Sequence, residues 1–402
     1  MAAPSNYEQE LLELVNRARL NPSGEFDQLI TNASNGTGAS ANITDALDYF
    51  GVDLNAFRAQ LAGTNATAPL AWNDALEQAA TGHSQQVILH DQQSHQLPGE
   101  PGLGDRARNA GYTDLLRVGE NVYAYGMEAI YTHAGFFIDW GYDAEDIGNG
   151  TLLSDWRSRG DGIQDPPGHR NTMLDSRYSE IGIAALADNN PDTQVGPMVV
   201  TQNLGSRSGY QPQLVGVIFE DGDGDDFYDA GEGRGSVTIS ASGSAGTFST
   251  TSWASGGYQM VLPAGSYTVT FSAGGSFTPV THSVTIGGSN IKLDLDTSDL
   301  APGPSAMIGT AGPDWMTARN AGHAINGLGG SDMVSFVNID DRMTIDLSTG
   351  TASGAGQDWT LSDIENVTGS VHGDTITGDD GDNRIRGLGD YDWLVGSEGA
   401  DR

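Results

Sequence analysis

Five acidic side chains in one short segment offer the oxygen ligands of a cation site. The segment is a twelve-residue loop that begins at Asp221, and acids occupy its first, third, fifth, ninth and twelfth positions. These residues are Asp221, Asp223, Asp225, Asp229 and Glu232. Carboxylate oxygens are the ligands that Ca²⁺ prefers, so the spacing predicts a calcium loop. The alternative is a solvated acidic turn without an ion.

The spacing of this loop is that of an EF-hand, but its surroundings are not. Position 6 is Asp226 instead of glycine, and a β-type run at 215–220 precedes the loop where an EF-hand has a helix. The loop resembles the calcium loops that open SdrD B-like or Cna B-like modules. Short β-rich runs separated by turn residues predict a small antiparallel β-sandwich over residues 210–298. These runs are 214–219, 236–241, 258–262, 266–272, 281–286 and 290–295.

A second set of oxygen ligands recurs with a nine-residue period near the end of the sequence. The first glycine of each repeat stands at 369, 378, 387 and 396, and an Asp or Asn follows five residues later. An earlier set starts at Gly309, Ala318 and Gly327, but its middle copy has His323 at the ligand position. The candidate ligands are Asp314, Asp332, Asp374, Asn383, Asp392 and Asp401. The repeat matches the calcium-binding pattern of RTX proteins.

The nine-residue repeat predicts a parallel β-roll over residues 306–402. We expect its glycines to turn the backbone with positive φ, and the apolar residue two places after each Asp to point inward. Residues 336–368 interrupt the repeat and would be an insertion or a spacer coil, and residues 297–305 read as a linker. The alternative is a disordered Asp/Gly-rich tail. Because the array stops inside a repeat at Arg402, we expect a fragment or a trimmed chain.

The composition excludes several classes of function. The 402 residues hold 53 acids, 18 bases and no cysteine, which gives a formal charge of −35. Disulfides, thiol catalysis and zinc–thiolate sites are therefore excluded, and nucleic acid is an unfavourable partner. No apolar run is long enough for a transmembrane segment, and the first residues do not read as an N-terminal signal peptide. Together with the repeats, this predicts type I export.

Residues 1–209 have a different character, in which acids are mixed with helical apolar patterns. Helices are predicted over 7–20, 72–90 and 128–140, and strands over 181–186 and 198–202. Helices and strands in irregular alternation indicate an α+β or three-layer α/β/α domain.

Several motifs in this region, taken in order, resemble a bacterial CAP domain of the SCP/PR-1 superfamily, over residues 7–205. They are Leu12-Glu-Leu-Val-Asn-Arg-Ala-Arg, Pro69-Leu-Ala-Trp-Asn-Asp-Ala-Leu, Ala80-Thr-Gly-His-Ser, Ser94-His, Asp105-Arg-Ala-Arg-Asn-Ala-Gly-Tyr, Gly119-Glu-Asn-Val and Pro167-Gly-His-Arg-Asn-Thr-Met-Leu. The resemblance implies an α/β/α sandwich with a central cleft.

The same resemblance implies two histidines and two acids in that cleft. Matching positions are His95, Glu120 and His169, which could bind a divalent metal such as zinc. The fourth acid stays open among Asp139, Asp143 and Glu145. His83 is either a hydrogen-bonded core histidine or a cleft member, and His133 is divided between core packing and the cleft edge.

Two functions follow from these features. The first is a secreted, calcium-stabilised protein, extracellular or surface-associated, whose cleft binds a metal and an extracellular lipid, peptide or cell-envelope component. The alternative is a metal-assisted extracellular hydrolase or protease that uses His95, Glu120 and His169 to activate water.

Overall fold

The computed structural model describes residues 3–142, 146–148, 151–273, 279–297, 307–319 and 323–402. Two candidates for the fourth cleft acid, Asp143 and Glu145, lie outside these residues, as does nearly all of the predicted linker at 297–305. The chain forms two compact units. The first contains Met1–Gly235, Ser242–Tyr267 and Val284–Ser298, and the second contains Ser236–Ala241, Thr268–Ser283 and Asp299–Arg402. The predicted division into three domains stays a prediction.

The helices of the described residues belong to the first unit. They are α1 (Asn6–Leu20), α2 (Glu25–Leu29), α3 (Ala41–Phe50), α4 (Leu54–Leu61), α5 (Asp74–His90), α6 (Leu103–Asn109), α7 (Ala129–Ile138) and α8 (Gly168–Leu174). The three helices predicted from apolar periodicity are confirmed as α1, α5 and α7. None of the helices in the described part of the chain combines the length and the apolar character that a membrane span needs.

Side-chain caps explain where the main helices begin. Ser5 and Glu8 form a capping box at the start of α1. The Asn73 side chain accepts hydrogen bonds from the amides of Ala75 and Leu76 and so caps α5. These caps satisfy amide groups that have no partner within the first helical turn.

A four-stranded sheet forms the centre of the N-terminal region. Its strands are β3 (Ala71–Trp72), β4 (Leu115–Tyr123), β7 (Glu180–Ala187) and β8 (Met198–Arg207), in the order β3-β7-β8-β4. Only β3 and β7 pair in parallel. Two small hairpins, β1 (Ile30–Asn32) with β2 (Thr37–Gly38) and β5 (Ile147–Gly148) with β6 (Thr151–Leu152), lie outside this sheet.

Helices pack on both faces of this sheet. Ile181 and Ile183 join a core cluster with Leu11 of α1 and Phe136 of α7. Gly182, between them on β7, faces the other way, and a Cβ there would collide with the backbone of α5. A mixed α/β architecture is therefore confirmed for this region.

The middle of the chain contains β9 (Gln213–Phe219), β10 (Thr238–Gly243), β11 (Gly246–Thr251), β12 (Gly257–Val261), β13 (Gly265–Ser272), β14 (Val280–Ile286), β15 (Ile291–Lys292) and β16 (Leu295–Asp296). One sheet has the order β12-β9-β15, and β16 also pairs with β9. A second sheet contains β10, β11, β13 and β14. The predicted strands are present, together with β11, which the sequence pattern missed. The prediction of antiparallel pairing is wrong for part of the first sheet, because β15 and β16 pair with β9 in parallel. Packing of the two sheets as a sandwich stays a prediction.

The C-terminal region consists of short strands that pair mostly in parallel. They are β17 (Met307–Ile308), β18 (Trp315–Thr317), β19 (Ala324–Asn326), β20 (Met333–Ser335), β21 (Thr344–Asp346), β22 (Thr351–Gly354), β23 (Gln357–Ser362), β24 (Asn366–Thr368), β25 (Thr375–Thr377), β26 (Arg384–Arg386) and β27 (Trp393–Val395). One sheet has the order β18-β20-β24-β26 and the other β17-β19-β23-β22-β21-β25-β27.

The register of these strands follows the repeat. Strands two repeats apart pair in parallel, as Trp315 with Met333 and Thr375 with Trp393. Residues 336–368 contribute β21 to β24, and β22 is antiparallel to both of its neighbours. Parallel strands in two sheets are what a β-roll requires, but that classification stays a prediction.

Helix α1 also contacts the β9 sheet through a buried ion pair. Glu13 is buried, and its Oε2 lies 2.7 Å from Nζ of Lys292, the single lysine of the chain. Lys292 also pairs with Asp294. Burial alone would lower the pKa of Lys292, but the Asp294 and Glu13 carboxylates raise it, so the side chain stays an ammonium.

We expect Lys292→Met to destabilise the first unit by about 3–5 kcal/mol, because Glu13 would remain buried without its cation. The measurement is urea unfolding followed by tryptophan fluorescence. Arg108→Met is the matched control, since it breaks the exposed Arg108–Asp105 pair at 3.0 Å and should cost less than about 1 kcal/mol. Equal effects of the two substitutions would contradict the importance of the buried pair.

Candidate functional site

The predicted cleft residues form two histidine–carboxylate pairs. In the first pair, His95 Nδ1 lies 3.1 Å from Glu120 Oε1. Glu120 lies on β4 and is buried, whereas the His95 side chain, in the segment between α5 and α6, is 63% exposed. The carboxylate is therefore fixed by the sheet, and the imidazole projects from it toward solvent.

The second pair joins the ends of two helices. His169 Nδ1 lies 2.7 Å from Asp139 Oδ1, and the His169 backbone amide donates to Asp139 Oδ2 at 2.8 Å. His169 is in the first turn of α8, and Asp139 follows α7 in a left-handed conformation with φ 61°. Of the three candidates for the fourth acid, Asp139 therefore lies beside a predicted cleft histidine.

A buried charge network, which the sequence analysis missed, holds Glu120 in place. Arg106 Nη2 donates to Glu120 Oε2 at 2.5 Å, and Arg106 Nη1 lies 2.7 Å from Glu100 Oε1. His83 is fully buried, with Nδ1 at 2.8 Å from Glu100 and Nε2 at 3.7 Å from Glu120. His83 is thus both a core residue and a neighbour of the cleft pair.

The network changes the pKa of Glu100. Burial alone would raise its pKa, but hydrogen bonds from Arg106 and His83 lower it overall. Arg106 belongs to the motif quoted above for residues 105–112, yet its partners Glu100 and Glu120 lie in different elements. A signal for Arg106 existed in the sequence, but nothing there identified which acids it pairs with.

A buried amide connects the two histidine pairs. Asn121, next to Glu120 on β4, donates from Nδ2 to the His169 carbonyl and to Gln202 Oε1, both at 3.2 Å. Asn121 and Gln202 are cross-strand neighbours on β4 and β8. The position of α8 and its histidine is therefore tied to the sheet that carries Glu120.

The structure does not gather the three predicted metal ligands into one tight cluster. Among the described residues, the group of three acidic or imidazole side chains whose ligand atoms all lie within 4.8 Å of one another is Asp221, Asp223 and Asp225. His95, Glu120 and His169 do not form such a group. Instead, each imidazole contacts its own carboxylate through Nδ1, and the zinc site stays a prediction.

Comparison with known proteins agrees with the motifs of the N-terminal region. Residues 12–204 match the family model described as CAP, the cysteine-rich secretory protein family. The chain contains a CAP domain. It is also similar to the crystal structure of an extracellular protein containing a SCP domain from Bacillus anthracis str. Ames, with 20% identity and a TM-score of 0.24. That match covers 41% of this chain and spans about 40% of the other. None of the curated proteins matches the chain.

The family is described as cysteine-rich, but this chain has no cysteine, so no disulfide stabilises its CAP domain. Buried polar groups tie the domain together instead. Arg19 of α1 is fully buried and donates to the carbonyls of Ala68, Met173 and Tyr178. These bonds join α1 to the strand-β3 segment and to the end of α8.

The predicted calcium loop holds Asp221, Asp223 and Asp225 close together, and Glu10 of α1 lies beside the loop. Asp229 and Glu232 contact each other through the Asp229 amide, which donates to Glu232 Oε2 at 2.9 Å. Glu10 of α1 accepts from the Ala230 amide at 3.2 Å. Burial, followed by repulsion from Asp229, raises the pKa of Glu10 to about 7. Burial and neighbouring acids, first Asp225, also raise the pKa of Asp229 to about 6.

The predicted ligand residues of the nine-residue repeats are joined in pairs by hydrogen bonds, which we call ladders. In each ladder, a side-chain oxygen accepts from the backbone amide of the residue 18 positions earlier in the chain. Asp332 accepts from the Asp314 amide at 2.8 Å, Asp392 from Asp374 at 2.9 Å, and Asp401 from Asn383 at 2.9 Å. All six predicted ligand residues therefore belong to these ladders.

The predicted positive φ is found at Gly330 and Gly399, the fourth positions of their repeats, with φ of 134° and 104°, but the first glycines have a different role. The first glycine of each repeat does not have positive φ. Instead, a Cβ on Gly378 would collide with the Asn383 side chain and would lie 2.5 Å from the Gly396 carbonyl oxygen. Glycine is needed because side-chain and carbonyl oxygens approach the backbone closely at this position.

The inward apolar residues are confirmed for most repeats. Met316, Ile325, Val334 and Ile376 are buried in one cluster. Leu394 departs from the prediction and is 47% exposed, because it lies on β27, the last strand of its sheet.

The CAP domain also contains a buried histidine–carboxylate pair formed by His133 and Glu25. His133 is fully buried, with Nε2 at 3.0 Å from Glu25 Oε1. Burial lowers the pKa of His133, and the Glu25 hydrogen bond offsets only part of this effect. The pKa of Glu25 is also lowered, since hydrogen bonds from His133 and Arg17 outweigh its burial.

This pair predicts acid sensitivity of the CAP domain. Both groups bind fewer protons in the folded than in the unfolded state, so the stability they contribute is present at neutral pH and is lost as pH falls. For His133 the loss should begin near its unfolded pKa of about 6.5, and for Glu25 below about 4.5. Unfolding midpoints of wild type and His133→Gln between about pH 7.5 and 5.5 should show a smaller loss in the variant. The exposed His90→Gln should behave as wild type, and equal slopes for all three would contradict the assignment.

Proposed function

We propose that this chain is a secreted calcium-binding CAP-domain protein whose C-terminal repeats are stabilised by Ca²⁺ outside the cell. The observation that carries the proposal is Asp332, which is 0% exposed and has one carboxylate oxygen without a hydrogen-bond partner. Among the described residues, no cationic side chain pairs with it. A buried carboxylate without an opposite charge is costly, and a cation would remove that cost.

The surroundings of the repeat ligands support a hard cation. A carboxylate or amide oxygen and a backbone carbonyl approach the same first glycine in four repeats, as Asp374 and the Gly387 carbonyl do at Gly369. The four glycines are Gly309, Gly327, Gly369 and Gly378. Carboxylate and carbonyl oxygens are the ligand set of Ca²⁺. A parallel β-roll with calcium between its turns would use these oxygens. The Asp221, Asp223 and Asp225 cluster supports a further calcium ion in the loop.

Calcium dependence favours an extracellular location. Extracellular modules bind calcium with dissociation constants of roughly 0.1–1 mM, far above the free calcium of the cytosol. Each site filled to ten times its dissociation constant adds about 1.4 kcal/mol to stability. The description of the CAP family as secretory agrees with this location.

The cleft is proposed to bind a divalent metal, such as zinc, through His95 and His169. Each imidazole directs Nδ1 to a carboxylate, which leaves Nε2 for a metal. Histidines that ligate zinc typically donate their other N–H to a carboxylate in this way. Glu120, already bonded to Arg106, would then orient His95, and an extracellular lipid, peptide or cell-envelope component would bind beside the metal.

A metal-assisted hydrolase or protease is the second candidate. It is favoured by the Asp139–His169 pair, in which a carboxylate fixes an imidazole that would hold the metal, while the Glu120 carboxylate beside His95 would accept a proton from water. A serine nucleophile finds no support at Ser84, because its hydroxyl is buried and bonded to Thr201 at 2.8 Å.

Calcium should protect the repeats of the full chain from hydrogen exchange. We expect amide protection within 307–402 to rise between about 0.1 and 10 mM Ca²⁺ and to reverse on chelation. Asp332→Asn keeps the shape of the side chain but removes its charge, and should shift the midpoint to higher calcium. Asp358→Asn removes the same charge at an exposed position of β23 and should not. Full protection in excess chelator would overturn the proposal.

Zinc binding should depend on the two cleft histidines. Calorimetry on the full chain in excess calcium should give one zinc site, and His95→Ala/His169→Ala should remove it. Glu120→Ala should weaken the affinity about 10- to 100-fold, as expected when an orienting partner is lost. His90→Ala is the control, and undiminished zinc binding in the double variant would refute the site.

The same variants separate the two functions. A hydrolase should cleave members of a peptide library only with zinc, and Glu120→Ala should abolish cleavage. Zinc binding without cleavage would leave the binding protein as the function.

A further inference from the structure

A cavity of the CAP domain is lined by residues other than the two histidine pairs. It has a volume of about 710 Å³ and lies between α4, α8 and residues 160–167. None of His95, Glu120, Asp139 and His169 lines it. A volume of this size is typical of sites for small organic molecules.

Hydrogen bonds fix the polar side chains that line this cavity. Arg170 is buried, and its guanidinium donates to the Phe137 carbonyl at 3.2 Å and to Gln60 Oε1. Gln60 in turn donates from Nε2 to Asp161 Oδ2 at 3.3 Å, and Asp161 Oδ1 accepts from the Ile163 amide at 3.1 Å. The polar groups therefore have fixed positions before any ligand binds, which reduces the entropy cost of binding.

The lining offers hydrogen-bond donors and acceptors in a small space. Gln60 and Asn171 supply amides, Thr64 a hydroxyl, Asp161 and Asp165 carboxylates, and Arg170 a guanidinium. Hydroxyl groups both donate and accept, so a ligand rich in hydroxyls matches this mixture. The apolar lining residues are Ile163, Pro167 and Leu174, which offer contacts for the CH groups of a sugar ring.

The same lining disfavours other ligand classes. Two carboxylates against one guanidinium, in a chain of charge −35, repel phosphate, sulfate and fatty-acid headgroups. No aromatic ring is among the lining residues, so a nucleobase would find no stacking partner. Three apolar residues are too few to cover an acyl chain.

We propose that this cavity binds a neutral oligosaccharide. The inference uses the cavity alone and is independent of the metal and calcium sites, so either can fail without the other. It assigns the CAP domain a second binding site, and it commits to an uncharged, hydroxyl-rich ligand.

The test uses the full chain in excess calcium. Saturation-transfer NMR would screen the tetramers cellotetraose, maltotetraose and chitotetraose, with a heparin-derived sulfated tetrasaccharide and tetra-alanine as the charged and peptide probes. At least one neutral tetramer should bind with a dissociation constant of about 1 mM or lower, and more tightly than either of the other probes.

Two variants locate the binding. Gly160 lines the cavity, and a Cβ there would meet no atom closer than 4.0 Å, so Gly160→Leu should fill the cavity without disturbing the fold and weaken binding at least about tenfold. Asn171→Leu removes one amide from the wall and should weaken it about three- to tenfold. Gly287→Leu adds the same side chain at a position with no atom within 4 Å, away from the cavity, and serves as the matched control.

The binding measurements on the two glycine variants and on the probes either support or overturn the proposal. Binding that is lost in Gly160→Leu and kept in Gly287→Leu supports the proposal. The absence of binding by all three neutral tetramers, or binding that Gly160→Leu leaves unchanged, overturns it. Binding of the sulfated tetrasaccharide or of tetra-alanine that is tighter than that of every neutral tetramer also overturns it, because the proposed ligand is uncharged and rich in hydroxyls.

Discussion

A carboxylate that leaves water must gain hydrogen bonds or an opposite charge, and this chain buries carboxylates while carrying 53 acids against 18 bases. In the first unit, cationic side chains pair with buried carboxylates. The ion pairs are Lys292–Glu13, Arg106–Glu120 and Arg207–Glu180. In the second unit, Asp332 and Asp374 are buried with backbone amides and hydroxyls as their partners instead. Buried carboxylates of the first unit thus gain cationic partners, whereas Asp332 and Asp374 of the second unit gain amide and hydroxyl partners.

Helix α1 shows how far a sequence pattern can predict such an arrangement. Its apolar stripe, with Leu11 and Val15, predicted the helix and its packing face correctly. Glu13 and Asn16 are polar and do not belong to this apolar stripe, yet both are buried. The pattern cannot reveal this, because the partner of Glu13 is Lys292, far along the chain, and the partner of Asn16 is the backbone of Leu70. Apolar periodicity identifies the face that enters the domain's own core, but not a second face covered by a distant strand.

The candidate sites also differ in how far the sequence could predict them. The nine-residue spacing predicted which residues stand in the ladders, because a repeat carries its register within itself. The cleft pairs came from a family resemblance, and Asp139 could not be chosen from sequence, since its role depends on a left-handed residue after α7 that points at a helix more than twenty residues later. Arg106 was missed for a related reason. An arginine in a short helix is ordinary until the fold places two buried carboxylates around it.

The cleft and the cavity share one anchoring point, the carboxyl end of α7. The last carbonyls of a helix lack partners within the helix and carry partial negative charge. Arg170 donates to two of them, those of Phe137 and Ile138, while Asp139, the next residue, accepts from His169. Two successive residues of α8 therefore bind the same helix end, one on the side of the cleft and one behind the cavity wall. A change in the angle between α7 and α8 would move the His169 imidazole and the Arg170–Gln60–Asp161 chain together, so a single helix junction positions both groups.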